Sequence, residues 1–434
     1  MEKDEIKFLS GILIIVVIAT IIITFVAIPI ITKNVSAQSD YLEFQGVSYT
    51  GSAVRSVDIS DGNSNPSNVY VVVGSAQNLS VFDASGNLQW YNNSLSIADF
   101  SSYGTSHGVA ISGDAQYVVA GTTSDEVYAF DISGNFLWYN DMYRSRGDCY
   151  SVDVSNSSAR FYSQGNYDAF VVSCSGDCIY VINASTGSNI WSEQISEGNV
   201  MNVRISEDGN WIVASSDNNR IEFYNNTDPS NHEMVWFNIT TDSYVNVDIA
   251  RNGLIVVAGE DDPNPGAGTS NVYEFDVGAD GTWGTGDDQT PGWTRAEAGD
   301  IYAVAVSDCN TVAPAGPTFS VISGEGPNDD ESDESYYTSP NKIRNWSTGL
   351  ICSADATYDN NSAYNFRLFG SFTPENSIIL VAQNSDNIID SYTANGTVTS
   401  VAISYSYCQP TQFYDYFVAG DSAGYVYFFT YAYP

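Results

Sequence analysis

Six tryptophans, Trp90, Trp138, Trp191, Trp236, Trp293 and Trp346, recur along this chain at gaps of 48, 53, 45, 57 and 53 residues. A fixed period of that size means one supersecondary unit copied many times. Around each Trp the text recurs: VFDASGNLQWY at 81–91, AFDISGNFLWY at 129–139 and VINASTGSNIW at 181–191. Apolar and polar letters alternate on both sides of a turn carrying Asp or Asn and Gly. That is a strand, a tight hairpin and a second strand. Two more strand-like runs precede each copy, such as GVAIS (108–112) with YVVAGTT (117–123), and MNVRIS (201–206) with WIVASSD (211–217). Each unit therefore reads as four short strands, the blade of a β-propeller.

The fold class expected is all-β: an eight-bladed propeller of four-stranded blades, preceded by one N-terminal hydrophobic α-helix. The units fall at roughly 53–97, 107–141, 149–196, 201–241, 245–296, 301–347, 364–398 and 399–434. Seven is the alternative count, because unit six carries an acidic insertion and unit seven has no Trp. The orphan run YLEFQGVSY (41–49) supplies the missing fourth strand of the last blade and so removes an open sheet edge.

The D-x-S-G-N-x-x-W text at Asp83 to Trp90 and Asp131 to Trp138, with N-A-S-T-G-S-N-I-W ending at Trp191, resembles the PQQ-like and WD40-like propeller superfamily. The resemblance spans nearly all of 41–434. It implies the fold and little about activity, since propellers host unrelated functions. The Trp ladder is then expected to pack one blade on the next, as a buried Trp covers about 150–250 Å².

Residues 8–31 hold 24 uncharged positions, FLSGILIIVVIATIIITFVAIPII. At ~1.5 Å per residue this helix spans a ~30 Å hydrocarbon core. The expected order is a short cytoplasmic leader (1–7), a transmembrane signal anchor (8–31), a linker (32–40) and the propeller ectodomain (41–434). Lys3 and Lys7 before the helix favour a cytoplasmic N-terminus. A removed signal is the competing reading, because Val35-Ser36-Ala37 suits cleavage. Another is a type IV pilin-like subunit, with the helix in a filament core. Partners would then be the membrane, surface proteins or glycans, and further copies of the chain.

Sequons at Asn34, Asn78, Asn92, Asn156, Asn183, Asn225, Asn238, Asn345, Asn360 and Asn395 fit an exported glycoprotein. The low charged fraction, 15%, with 30 Tyr, reads as an exported archaeal surface protein. Of the six cysteines, Cys174 and Cys178 flank a predicted hairpin and are the expected disulfide. Cys149, Cys309, Cys352 and Cys408 have no assignable pairing.

Acids outnumber bases 52 to 14, for a net charge of −38. Residues 1–37 carry three of each, so the ectodomain holds all of it. Nucleic acid is excluded as a partner, because its phosphates need a basic face. The Gly-rich run DVGADGTWGTGDD (276–288) places Asp276, Asp280, Asp287 and Asp288 in one loop, a candidate calcium site. The second acidic run, EGPNDDESDES (325–335), reads as a flexible loop.

Catalysis has little to stand on. Only His107 and His232 are present. No nucleophile elbow, phosphate loop or haem motif appears. Quinoprotein dehydrogenases share this kind of propeller and, by resemblance, hold a calcium-bound quinone against adjacent cysteines. No two cysteines are adjacent here. A glycan-active site could be built from two carboxylates, but the sequence selects no pair. The expectation is a non-catalytic surface module with no catalytic residues and no cofactor beyond calcium.

Overall fold

Each copy of the repeat becomes one antiparallel sheet. The computed structural model describes residues 42–432 apart from 62–67, 99–106, 143–146, 158–160, 163–164, 196–197, 240–244, 261–269, 278–281, 286–287, 289, 298–300, 307–319, 326–330, 337–338, 348–350, 357–365, 372–374, 383–387 and 405–413. Its strands group into eight four-stranded sheets. In chain order the first seven run from an innermost to an outermost strand. They begin at Val54–Ile59, Val109–Ile111, Val152–Val154, Val200–Ile205, Val245–Ile249, Ile301–Val306 and Ile351–Ala356. They are called blades 1 to 7 below. Blade 8 takes Val398–Ile403, Tyr414–Asp421 and Tyr425–Ala432 from the end of the chain and Leu42–Tyr49 from its beginning.

That closing strand pairs antiparallel with the last strand, from Leu42 opposite Tyr431 to Tyr49 opposite Tyr425. Sequence-distant strands thus share one ladder. On the other side of blade 8, the Val57 amide donates to Ser400 Oγ at 3.1 Å and Thr399 Oγ1 donates to the Val54 carbonyl at 2.9 Å. Blade 8 therefore abuts blade 1, and the ring closes.

Apolar letters from both faces of each sheet fill the wedges between blades. Val119, Val127 and Trp138 of blade 2 meet Val152, Val171 and Ile182 of blade 3. Phe170, Val172 and Ile179 of blade 3 meet Val203, Ile205 and Ile212 of blade 4. Because both faces are buried, the middle strands read as unbroken apolar runs such as YVVVGS and IVVAGE rather than strict alternation.

Four of the ladder Trp side chains, those of Trp90, Trp138, Trp191 and Trp236, lie at these wedges. Trp90 Nε1 donates to the Ile132 carbonyl of blade 2 at 2.8 Å, and Trp138 Nε1 to Ala184 O of blade 3 at 2.6 Å. Trp191 Nε1 donates to Asn226 Oδ1 of blade 4 at 2.8 Å. Each indole lies on the hairpin turn of the next blade. Gly134 and Gly187 sit under Trp90 and Trp138 with φ of 84° and 71°, and a Cβ there would stand 2.8 and 2.6 Å from the indole Cγ. Glycine is thus demanded twice, by a left-handed turn and by the ring above it. Trp236 stacks on Phe275 of blade 5 at 4.6 Å. Trp293 and Trp346 begin and nearly end the outer strands of blades 5 and 6.

Several expectations are corrected. The seventh blade starts at Ile351, not at 364. Its innermost strand, ICSADA, has Ile351 as its one β-branched residue, where each of the others carries two or more. Half of the acidic run 325–335 is not loop: Glu331–Tyr336 is the third strand of blade 6, paired on both sides. Tertiary pairing overrides the weak β-propensity of Glu, Asp and Ser. Cys174 and Cys178 do not bond. Cys174 lies opposite Ile179 and Cys178 opposite Ser175 across the hairpin, which sends the two thiols to opposite faces of the sheet. One packs against blade 4, the other against blade 2. Residues 1–41, with the expected membrane segment 8–31 and Asn34, lie outside the described residues, as do Cys309, Cys408 and Asn360. Among the described residues no helix is long and apolar enough to cross a membrane.

Candidate functional site: the central channel

The innermost strands share a five-letter text that the Trp ladder hides. It reads SVDIS (56–60), GVAIS (108–112), SVDVS (151–155), NVRIS (202–206), NVDIA (246–250), AVAVS (303–307), SADAT (353–357) and SVAIS (400–404). The third letter is Asp in every odd blade: Asp58, Asp153, Asp248 and Asp355. The even blades carry Ala110, Arg204, Ala305 and Ala402. The propeller therefore has a two-blade period inside its one-blade period.

The odd blades clamp the even ones. Asp58 Oδ2 accepts the Ile111 amide at 2.8 Å, and Asp153 Oδ2 the Ile205 amide at 3.0 Å. Asp248 Oδ2 accepts Val306 N at 2.9 Å, and Asp355 Oδ2 accepts Ile403 N at 2.7 Å. Each of the four also takes the next amide in its own strand, Ile59, Val154, Ile249 or Ala356. An amide at the inner edge of a blade would otherwise face the channel unpaired.

These carboxylates line a cavity of about 210 Å³ together with His107, Arg204, Asp61, Glu207 and Arg251. Burial pushes Asp58 up to about 7 against the amide that stabilises its charge, with Asp153 adding repulsion. Burial likewise lifts Asp355 to about 7 and Asp248 to about 6, the latter restrained by Arg204. Asp153 is also raised, by burial, with Arg204 opposing. Arg204 Nη2 lies 2.6 Å from His107 Nε2 and its Nε 3.7 Å from Asp248 Oδ1. Burial and that guanidinium hold His107 well below its ordinary range, so the imidazole is neutral.

One side of the channel mouth is tied shut by the turns that follow the innermost strands. Arg251 of blade 5 grips Asp61 of blade 1, four blades away, with Nη2 2.6 Å from Oδ1 and Nη1 2.5 Å from Oδ2. Between them the Asp61 amide donates to Gly113 O, Asn156 N to Glu207 O, and Glu207 N to Arg251 O, all at 2.9–3.0 Å. A Cβ on Gly113 would stand 2.3 Å from Asp61 Oδ2 and 2.8 Å from Asn156 Oδ1. The bidentate grip of Arg251 keeps Asp61 from yielding. Gly113→Ala is therefore expected to lower stability by about 1–3 kcal/mol, read as a shift of the denaturant midpoint. A change below about 0.5 kcal/mol would show that the mouth is pliable.

The carboxylates accept backbone amides, and the imidazole is held by a guanidinium. His232, the other histidine, stacks on Trp191 at 4.2 Å and reaches Glu193 at 3.1 Å. Sequence reasoning missed the Asp quartet because its positions, separated by 95, 95 and 107 residues, follow a period twice that of the blade.

The other candidates fall elsewhere. Asp276 ends the third strand of blade 5, and Asp288 is buried, its Oδ2 accepting the Gly284 amide to close a turn. Asp280 and Asp287 lie outside the described residues, among which no three Asp, Glu, His or Cys side chains converge as a metal site. Of the sequons, Asn156 belongs to the channel mouth, its Nδ2 donating to Glu207. Asn78 Nδ2 donates to Thr50 O at 2.7 Å, and Asn183 is buried while capping its own turn. Asn92, Asn225 and Asn238 are half-buried and Asn395 is exposed. Asn345 lies in the outer strand of blade 6.

Residues 49–236, from the closing strand to the outer strand of blade 4, match the PQQ_2 family model described as outer membrane protein assembly factor BamB. Among solved structures, the crystal structure of the computationally designed Ika8 protein is similar over 88% of this chain and 97% of that one, with a TM-score of 0.56 at 15% identity. No curated protein matches the chain. The family model likens 49–236 to a PQQ-like repeat, and the structural likeness agrees with the sheets on the β-propeller fold.

Proposed function

We propose that this chain is a non-catalytic, PQQ-like propeller displayed outside the cell by its N-terminal apolar segment, and that it serves as a protein-interaction module of the cell surface. The observation that carries this reading is the exposure of large apolar side chains on outer strands. Blade 1 presents Leu88 and Tyr91, blade 2 Phe136 and Tyr139, and blade 4 Phe237 and Ile239. Tyr91 is 61% and Ile239 67% exposed. Clustered apolar surface is a mark of interaction sites. The four on blades 1 and 2 lie in the stretch similar to an assembly factor, whose name supports a role in assembly rather than turnover. The acidic ectodomain and the exposed sequon at Asn395 fit display outside the cell.

The test has two readouts on intact cells. A membrane-impermeant protease should release the propeller, and a photo-crosslinking residue at position 139 should give discrete protein adducts. One at Asp390, on the outer strand of blade 7, should give none. A propeller protected until cells are lysed, or equal adducts at both positions, would overturn the reading.

A further inference from the structure

Glu274 lies in the third strand of blade 5 and is fully buried, yet among the described residues neither carboxyl oxygen has a hydrogen-bond partner. A buried polar group left in that state is destabilising, so its surroundings need a reason. Glu274 pairs with Trp293 across the ladder, and the Gly292 amide beside it donates to the Glu274 carbonyl at 2.8 Å. Gly292 does not have a left-handed backbone, so nothing in its conformation calls for glycine. What it provides is space. A Cβ at Gly292 would stand 2.6 Å from Glu274 Oε2 and 3.6 Å from Asp276 Oδ2. Two carboxylates thus converge on one opening, and Gly292 itself is exposed, which gives that opening access to solvent.

We propose that Glu274 and Asp276, facing each other over the bare Cα of Gly292, form a binding site for a hard divalent cation of the calcium class. The charge environment agrees. Burial, and then the neighbouring charge of Asp276, hold the Glu274 carboxyl far above its usual range. A cation between the two groups reverses both effects, since it supplies the missing partner and the missing charge. Calcium accepts carboxylate, carbonyl and water oxygens in a flexible shell, whereas magnesium demands a near-ideal octahedron. With two carboxylates the affinity belongs to the weak class of extracellular modules, Kd about 10⁻⁴–10⁻³ M. This site shares only Asp276 with the quartet expected from the sequence.

The full-length chain, stripped of divalent ions, is titrated with calcium chloride and separately with magnesium chloride by calorimetry, and its melting temperature is followed in parallel. One saturable calcium site and a rise in melting temperature are expected, because a ligand held only by the folded state stabilises it. Glu274→Gln keeps the shape and removes the charge, and should weaken calcium by about tenfold or more. Gly292→Ala fills the opening and should do the same, while Asp390→Asn on blade 7 should change nothing. No saturable binding up to about 10 mM calcium, or equal binding by wild type and Glu274→Gln, would overturn the proposal. Should Gly292→Ala fail to fold, Asp276→Asn gives the same test from the second ligand.

Discussion

Trp138→Ala is expected to lower the stability of the folded chain by about 3–5 kcal/mol, the range for removing a buried aromatic from a packed interior. Three effects act together. The indole is 6% exposed and its removal leaves a cavity in the wedge between blades 2 and 3. Its Nε1 bond to Ala184 O, 2.6 Å long, is lost and strands that carbonyl. The Gly187 turn loses the ring it was shaped to receive. Guanidinium unfolding followed by far-ultraviolet circular dichroism reads the shift in midpoint. Trp138→Phe should recover part of the packing but none of the hydrogen bond. A loss under about 1 kcal/mol would mean that the ladder is decorative and that blades cohere through their aliphatic letters alone.

Acidification should stabilise this protein through its channel. Asp58, Asp248 and Asp355 titrate near 7, 6 and 7 in the folded chain, above the ordinary aspartate value of 3.8. The folded state therefore holds protons that the unfolded state has released across that window. Stability from these groups is fully present below about pH 4 and is lost as pH rises through about 7. Each pKa unit corresponds to about 1.4 kcal/mol. Because the three groups line the channel and are only half-buried, solvent screening brings the scale down to about 2 kcal/mol apiece. The melting temperature should climb as pH falls from about 8 to about 5. Below that, carboxylates held low in the folded state reverse the trend. Asp131, lowered by Asn135 and by the Ser133, Asn135 and Gly134 amides against its own desolvation, is one of them.

The surface acids of a chain with a net charge of −38 push the same way, but salt separates the two sources. In about 1 M sodium chloride the Debye length is near 3 Å, so surface repulsion fades while the channel groups keep their slope. Asp58→Asn and Asp355→Asn keep an acceptor for Ile111 and Ile403 and remove the proton. Each should flatten the pH profile and raise the melting temperature near pH 8. A flat profile in wild type, or an unchanged slope in both variants, would show that the channel carboxylates do not titrate in this window.

The period and alternation of the letters determined much of this protein alone. Strands, hairpins, four-stranded units and the Trp positions are local statements, since alternation within a strand decides which side chains face a neighbouring layer. Where local chemistry was ambiguous, reading failed. ICSADA and ESDESY are poor in β-formers, with Ile351 and Tyr336 their strongest, and became strands because ring closure left each sheet a vacant place to fill. Cys174 and Cys178 stood close in sequence, but hairpin register put them on opposite faces. Only the tertiary structure decided the channel: four aspartates that each hold the next blade, a guanidinium on an imidazole 97 residues away, and Asp61 tied to Arg251 across 190 residues. It also decided the opening at Gly292, where two acids on one strand face converge on a residue from the following loop. Such contacts depend on how far each blade is turned about the ring, a sum over many twisted sheets that no single stretch of sequence contains.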